Sequence, residues 1–194
     1  RTGERLLLTL ENPGIPRRYL RVDPAGDDHF SPELRRPTVT LIDPGFWNHP
    51  GFDAGRLYDP QPVTIAERLV FDLYLSQETA DTRRALRMRL LAAQVISQYG
   101  RTRVLEWYLN SASFGHLAYG AEAAARLYLD KSASELSLAE SALLVPLITA
   151  PALNPLDSPN AALERQREGL EIMRERGDFG REAKIDAVPA HLRA

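Results

Sequence analysis

Tyr108-Leu109-Asn110-Ser111-Ala112-Ser113-Phe114-Gly115-His116-Leu117-Ala118-Tyr119-Gly120 is the stretch on which the reading of this chain turns. It sits in a longer run, Val104 to Pro155, that continues through Ala121-Glu122-Ala123-Ala124-Ala125 and Leu127-Tyr128-Leu129-Asp130-Lys131. Glu135-Leu136-Ser137-Leu138-Ala139-Glu140 follows, and Ala150-Pro151-Ala152-Leu153-Asn154-Pro155 closes it. Two short helices joined by glycine turns, a capped third helix and a proline-marked exit are what these residues predict. Ser137 and Glu140 have the spacing of a capping box, which opens a helix through Leu144.

Working outward, Thr102 is placed to cap a helix over Arg103–Asn110, with Val104, Leu105, Tyr108 and Leu109 as core candidates. Thr82 to Tyr99 is the longest helical pattern. Its expected inner stripe is Leu86, Leu90, Leu91, Val95, Ile96 and Tyr99, and Gly100 suits the position just past its end. Thr64 and Glu67 form a second capping box, with Ile65, Leu69, Val70 and Leu73 inward to about Leu75. Prolines 44, 50, 60 and 62 and glycines 45, 51 and 55 forbid a long helix between Asp43 and Pro62. Downstream, Ser158-Pro159 reads as N-cap and first helical position of a final amphipathic helix carrying Leu163, Leu170 and Met173, stopped at Gly177.

The first 40 residues differ in character. Arg5–Leu10 and Tyr19–Val22 are expected as short strands around an Asn12-Pro13-Gly14 turn, with Thr38–Ile42 as a third β-branched run. Loops are expected at Pro24–Asp28 and Arg35–Pro37. The domain plan is an N-terminal extension over 1–37, a helical domain over 38–180 and a weakly patterned tail over 181–194. The fold class is mainly α.

Composition narrows the function. With 24 basic against 26 acidic residues in 194, there is no footprint for nucleic acid. Zero cysteines exclude thiolate metal sites and disulfides, and histidines 29, 49, 116 and 191 lack metal-ligand spacing. We expect no metal and no cofactor. No apolar run approaches the ~20 residues of a bilayer span, and no signal peptide is visible. A chain that begins at Arg1 fits an excised ectodomain with its membrane anchor upstream.

Between Val104 and Pro155 the order Leu-Glu-x-Tyr-Leu-Asn, Phe-Gly, Tyr-Gly, Glu-Ala-Ala-Ala, Tyr-Leu-x-Lys and Leu-Ala-Glu resembles the peptidoglycan glycosyltransferase domain of penicillin-binding proteins and monofunctional transglycosylases (glycosyltransferase family 51). The resemblance covers roughly residues 38 to 177. It implies a mostly helical, lysozyme-like fold with a small membrane-facing jaw, polymerising lipid II into glycan strands in the cell envelope, on the periplasmic or extracytoplasmic face of the inner membrane. Asn110, Phe114, Gly115, Tyr119, Gly120, Glu122, Lys131 and Asn154 match at positions that read as fold rather than turnover.

The catalytic half of the family pattern is poorly kept. Its first motif, Glu-Asp-x-x-Phe-x-x-His-x-Gly-x-Asp, falls on Ile42-Asp43-Pro44-Gly45-Phe46-Trp47-Asn48-His49-Pro50-Gly51-Phe52-Asp53. The family's general base is thus Ile42, which cannot accept a proton; such assistance is worth ~10²–10⁴-fold. The second motif, Gly-Gly-Ser-Thr-Ile-Thr-Gln-Gln-Leu-Val-Lys-Asn, falls on Gln61 to Asp72 and puts Phe71 where the family's lysine stands. The third, Arg-Lys-x-x-Glu, puts Arg84 on the arginine, Ala85 on the lysine and Met88 on the second glutamate. Only Ala54 to Pro62 separate the first two motifs, so a shortened jaw is expected.

These losses imply a catalytically degenerate domain, a pseudoenzyme acting as a binding or regulatory module. The partners the resemblance implies are peptidoglycan, a lipid-linked precursor or a cell-wall synthesis protein. Asp43 and Glu67 are the weak substitute acids for a divergent active enzyme. The blander readings, a turn residue bonding its own backbone and a helix cap, explain both better. Arg84, Arg87, Thr64, Arg68 and His49 are the substrate-contact candidates, with His49 the better fit to loop support. Trp47 reads as rim, able to stack on a sugar, or as core. Arginines 83, 84, 87 and 89, extended by 101 and 103, read either as an anion-holding patch or as a solvated helix face; the second is the commoner case. Arg84 is the member expected to face the cleft.

Overall fold

The computed structural model describes residues 18–23 and 28–178. Seven α-helices carry the fold: α1 (Pro32–Ile42), α2 (Ile65–Val70), α3 (Thr82–Tyr99), α4 (Arg101–Ser111), α5 (Ala121–Leu129), α6 (Leu138–Leu144) and α7 (Pro159–Glu175). Short 3₁₀ turns and one π turn, Phe71–Leu75, join them. Among the described residues there is no strand, so the mainly α class stands. The first expected strand, Arg5–Leu10, and the tail beyond Arg181 lie outside the described residues.

Both capping boxes form. Thr64 Oγ1 accepts the Glu67 N–H while the Glu67 carboxylate accepts that of Thr64, and Ser137 and Glu140 repeat the arrangement. Each box satisfies two of the orphan donors at a helix start. Val104, Leu105, Tyr108 and Leu109 are all buried in the main core, which also takes Phe46, Phe114, Tyr128 and the alanines of α5.

Around Gly120 the chain closes on itself. The Phe114 N–H donates to Ala118 O and the Gly120 N–H to Ala112 O, so residues 112–120 return the chain from α4 to α5. Gly120 has φ +89°, and a Cβ there would stand 2.7 Å from the carbonyl oxygen of Asn110. Only glycine permits that approach.

Several expectations are overturned. Thr38–Ile42 is not a strand but the C-terminal half of α1. Ser31 caps that helix by accepting the Glu33 N–H, and Pro32 takes the favoured first position. Packing against α6 and α7 overrides the β-branched run, and the Thr38 hydroxyl donates back to Leu34 O at 2.7 Å. The helix runs across the expected boundary at 37/38, so residues 32–37 belong to the helical body. Tyr19–Val22 makes only a single bridge, Arg21 to His29.

Thr102 does not cap α4, which begins at Arg101 with Gly100 at φ +77° as its cap. Leu73 is 54% exposed, because the π turn rotates it out of the α2 register. On α3 the inward face is rotated relative to the expected stripe, of which Ile96 is buried and Leu91 and Val95 are partly buried. Leu86, Leu90 and Tyr99 are exposed, while Arg84, Ala85, Met88, Arg89, Ala92 and Ile96 are buried.

Candidate functional site

The site implied by the sequence lies where the α1 C-terminus, the loop 43–53, α2 with its π turn and α3 meet. The loop is fixed by Asp43 and His49. His49 Nε2 lies 2.8 Å from Asp43 Oδ1, and the Gly51 N–H donates to His49 Nδ1 at 3.0 Å. An imidazole that accepts at Nδ1 carries its proton on Nε2, so His49 donates to Asp43. The other carboxylate oxygen of Asp43 accepts the Ile65 N–H at 3.0 Å, binding this loop to the start of α2. Thr64 adds a bond from its hydroxyl to Gly51 O at 2.6 Å. Asp43, His49 and Thr64 therefore work as one brace, and Asp43 does not make the local turn bond expected of an Asp-Pro-Gly sequence.

Glu67 is completely buried. One oxygen accepts the N–H groups of Val63 and Thr64, at 2.7 and 3.1 Å. The other faces Arg89 Nε at 3.4 Å. Both substitute acids are buried; Asp43 is bonded through both oxygens, whereas the Glu67 oxygen that faces Arg89 has no hydrogen-bond partner among the described residues.

Both replaced glutamate positions are apolar contacts. Ile42 packs, partly buried, against the main core. Met88 is fully buried with Val70 and Leu75, flanked by Phe71, Leu91 and Val95. Phe71 and Met88, the replacements for a lysine and a glutamate, therefore share one apolar cluster.

The arginines fit neither reading as a group: the solvated face, the commoner case, fails for Arg84 and Arg89, which are buried, and the buried pair forms no anion-holding patch. Arg84 is buried; its guanidinium donates to Glu78 O at 2.8 Å and Pro60 O at 3.0 Å and lies 5.1 Å from the Phe71 ring centroid. Arg89 donates to Arg56 O, and Arg101 to Phe46 O and His49 O. Arg87 pairs at the surface with Glu78. Buried guanidiniums spent on loop carbonyls are structural clamps, which corrects both the patch reading and the assignment of Arg84 to the cleft. Trp47 is exposed and meets Phe46 at a near-perpendicular ring contact, as the rim reading has it.

Sequence reasoning passed over Asp72 and read Tyr108 only as core. Burial raises the Asp72 carboxyl above its ordinary value, opposed by the charge of Arg68. Tyr108 is buried, and its hydroxyl has no hydrogen-bond partner among the described residues. Burial pushes its phenol well up, against the pull of Arg68 and with Asp72 and Asp43 adding to the rise. Arg68, Asp72 and Asp43 are thus the charged groups whose field reaches the Tyr108 hydroxyl. The available signal was the i, i+4 spacing of Arg68 and Asp72 on a helix.

A braced loop, a capped α2 and the Tyr108–Gly120 return make up the site region of this helical domain, and comparison with known proteins places it. Residues 63–174 match the family model described as Transglycosylase, and the chain belongs to that family. It is 36% identical over 164 residues to penicillin-binding protein 1A of Aquifex aeolicus, an alignment covering 77% of this chain and 22% of that protein. With the biosynthetic peptidoglycan transglycosylase of Alcanivorax borkumensis it shares 32% over 156 residues, 74% of this chain and 63% of the relative. The crystal structure of penicillin-binding protein 1A from Haemophilus influenzae aligns with a TM-score of 0.42 at 23% identity, over 71% of this chain and 18% of that one. The chain therefore spans less than a quarter of the penicillin-binding proteins it matches.

Proposed function

We propose that this domain has lost glycosyl transfer and serves as a binding or regulatory module of the cell envelope, on the periplasmic side, where peptidoglycan, its lipid-linked precursor or a cell-wall synthesis protein is the partner. One observation carries the reading: the acids nearest the two replaced glutamates, Asp43 and Glu67, are buried and already bonded, while Ile42 and Met88 are packed among apolar side chains. Transition-state charge has no free base and no free lysine to meet it at these positions. Among the described residues no helix is long and apolar enough to cross a membrane.

The test is polymerisation of a fluorescent lipid-linked disaccharide by the purified chain in detergent, beside an active family member. No polymer is expected. Glycan strands formed at a rate near that of the active enzyme would overturn the reading. A second reading, a divergent active enzyme, draws its support from Asp72, an exposed acid whose carboxyl desolvation raises above its ordinary value, opposed by the charge of Arg68. It requires that Asp72→Asn abolish polymerisation without lowering Tm.

A further inference from the structure

The α3 helix has two apolar faces, and the fold uses one. Ala85, Met88, Ala92 and Ile96 are buried against the domain, whereas Leu86 and Leu90 lie on the opposite side, 41% and 71% exposed. A single exposed leucine is ordinary, but two at i, i+4 stand one above the other on a helix and make a continuous strip. The strip keeps heptad spacing: Arg83, Leu86, Leu90, Ala93 and Ser97 recur at intervals of three and four, all exposed except the half-buried Ala93. Its side chains shrink from leucine to alanine to serine, which lets a second helix approach closely at that end.

Charge says what kind of helix fits. From Thr82 to Leu105 the sequence holds six arginines and no acid. Arg84 and Arg89 are spent inside, but Arg83 and Arg87 are exposed along one edge of the leucine strip. Arg87 pairs with Glu78, and Arg83 makes no hydrogen bond or ion pair among the described residues. Arg83 also stands in the first turn of α3, where the helix dipole disfavours a cation, and that turn carries no acid to offset it. Asp81, just before it, is engaged as the cap, accepting the Arg84 N–H at 2.8 Å.

We infer that the outward face of α3 docks an acidic amphipathic helix of a protein partner, with the partner's apolar stripe on Leu86 and Leu90 and its carboxylates along the Arg83–Arg87 edge. A narrow apolar seam bordered by charge of one sign is how paired helices choose their partners. A bilayer asks for a broad apolar face, and this strip is a single row of two leucines. A second copy of the chain is disfavoured, because α3 offers no carboxylate to its own arginines. The face lies on the other side of α3 from Met88 and Arg84, so it is independent of whether glycosyl transfer is lost.

The experiment titrates the full chain into a synthetic three-heptad helical peptide with leucine at positions a and d and glutamate at e and g, followed by the anisotropy of a fluorophore on the peptide. Saturable binding is expected, and about tenfold or more weaker binding when lysine replaces glutamate in the peptide. Leu86→Gln with Leu90→Gln is expected to weaken the glutamate peptide about tenfold or more with Tm unchanged, since neither leucine is buried and glutamine is a comparable helix former. Arg83→Glu is expected to weaken the glutamate peptide and strengthen the lysine peptide, a reversal that mere unfolding does not imitate. No saturable binding, indifference to peptide charge or indifference to the leucine substitutions would overturn the inference. So would binding confined to phosphatidylglycerol vesicles, or a dimer in sedimentation that Leu90→Gln abolishes, since either gives the face another occupant.

Discussion

Arg89 and Glu67 face each other 3.4 Å apart, with side chains 3% and 0% exposed, joining α3 to the first turn of α2. Removing one partner of such a pair strands the other charge out of water, so Glu67→Gln is expected to destabilise by roughly 3–5 kcal/mol. Urea unfolding measures it. A catalytic Glu67 would instead leave stability nearly untouched.

Asp43→Asn tests the brace. An asparagine offers His49 and Ile65 a single, uncharged acceptor oxygen, and its NH2 cannot take the acceptor role of the second carboxylate oxygen. The Gly51 N–H blocks the imidazole from changing tautomer without losing its own bond. A loss of roughly 1.5–3 kcal/mol is expected, from a hydrogen bond to a charged acceptor. Chemical denaturation checks the size, and imidazole proton chemical shifts report whether His49 keeps its proton on Nε2.

Gly51→Ala is expected to cost at least about 2 kcal/mol. Gly51 has φ +114°, and a Cβ there would stand 2.7 Å from Ala92 O, pushing the loop off α3. The Tm of the variant, compared with Gly55→Ala in the same stretch, separates backbone collision from mere loss of flexibility.

Acid is expected to weaken the fold through Glu106. Burial alone would raise this carboxyl, but bonds from Tyr19, the Val22 N–H and Arg103 outweigh it and hold the group below its ordinary value. A depressed folded-state value gives stability that is complete above the ordinary glutamate range near about 4.3, and lost as pH falls through the folded value. Glu140, held down despite burial by Lys131 and Ser137, acts in the same sense. Stability measured by denaturant from pH 6 downward should fall more steeply in the wild type than in Glu106→Gln, which lacks one of these groups.

Restoring both glutamates is not expected to restore chemistry. Met88→Glu puts a carboxyl into the Val70–Leu75 cluster, where it stays protonated or unfolds its surroundings. Ile42→Glu, at the partly buried end of α1, should be tolerated. The double variant should show a lowered Tm and no polymer in the lipid-linked disaccharide assay.

Legibility in the sequence followed the range of the interactions. Both capping boxes could be read because their partners are three residues apart. The Tyr108–Gly120 return could be read because Gly120 is demanded by a backbone collision with Asn110 in the same stretch. The burial face of α3 could not. Arg84 and Arg89 go inside only because carbonyls at Pro60, Glu78 and Arg56 wait for them, and those arrive from irregular chain up to 33 residues earlier. The α1 helix was hidden likewise, its β-branched residues being helical only against α6 and α7. At the candidate site Ile42 and Met88 were visible as identities. That both pack against apolar neighbours, Ile42 on the main core and Met88 with Val70 and Leu75, was not.

Asn110 has one more consequence. Its side-chain amide accepts the Leu20 N–H at 3.0 Å and donates to Leu20 O at 2.8 Å, imitating one rung of a ladder, while Glu106 holds Tyr19 and Val22 beside it. Any tension passed along the polypeptide from its N-terminal side would enter the helical body through those two residues of α4. Their four short bonds act as a mechanical coupling, shearing together rather than peeling apart one by one.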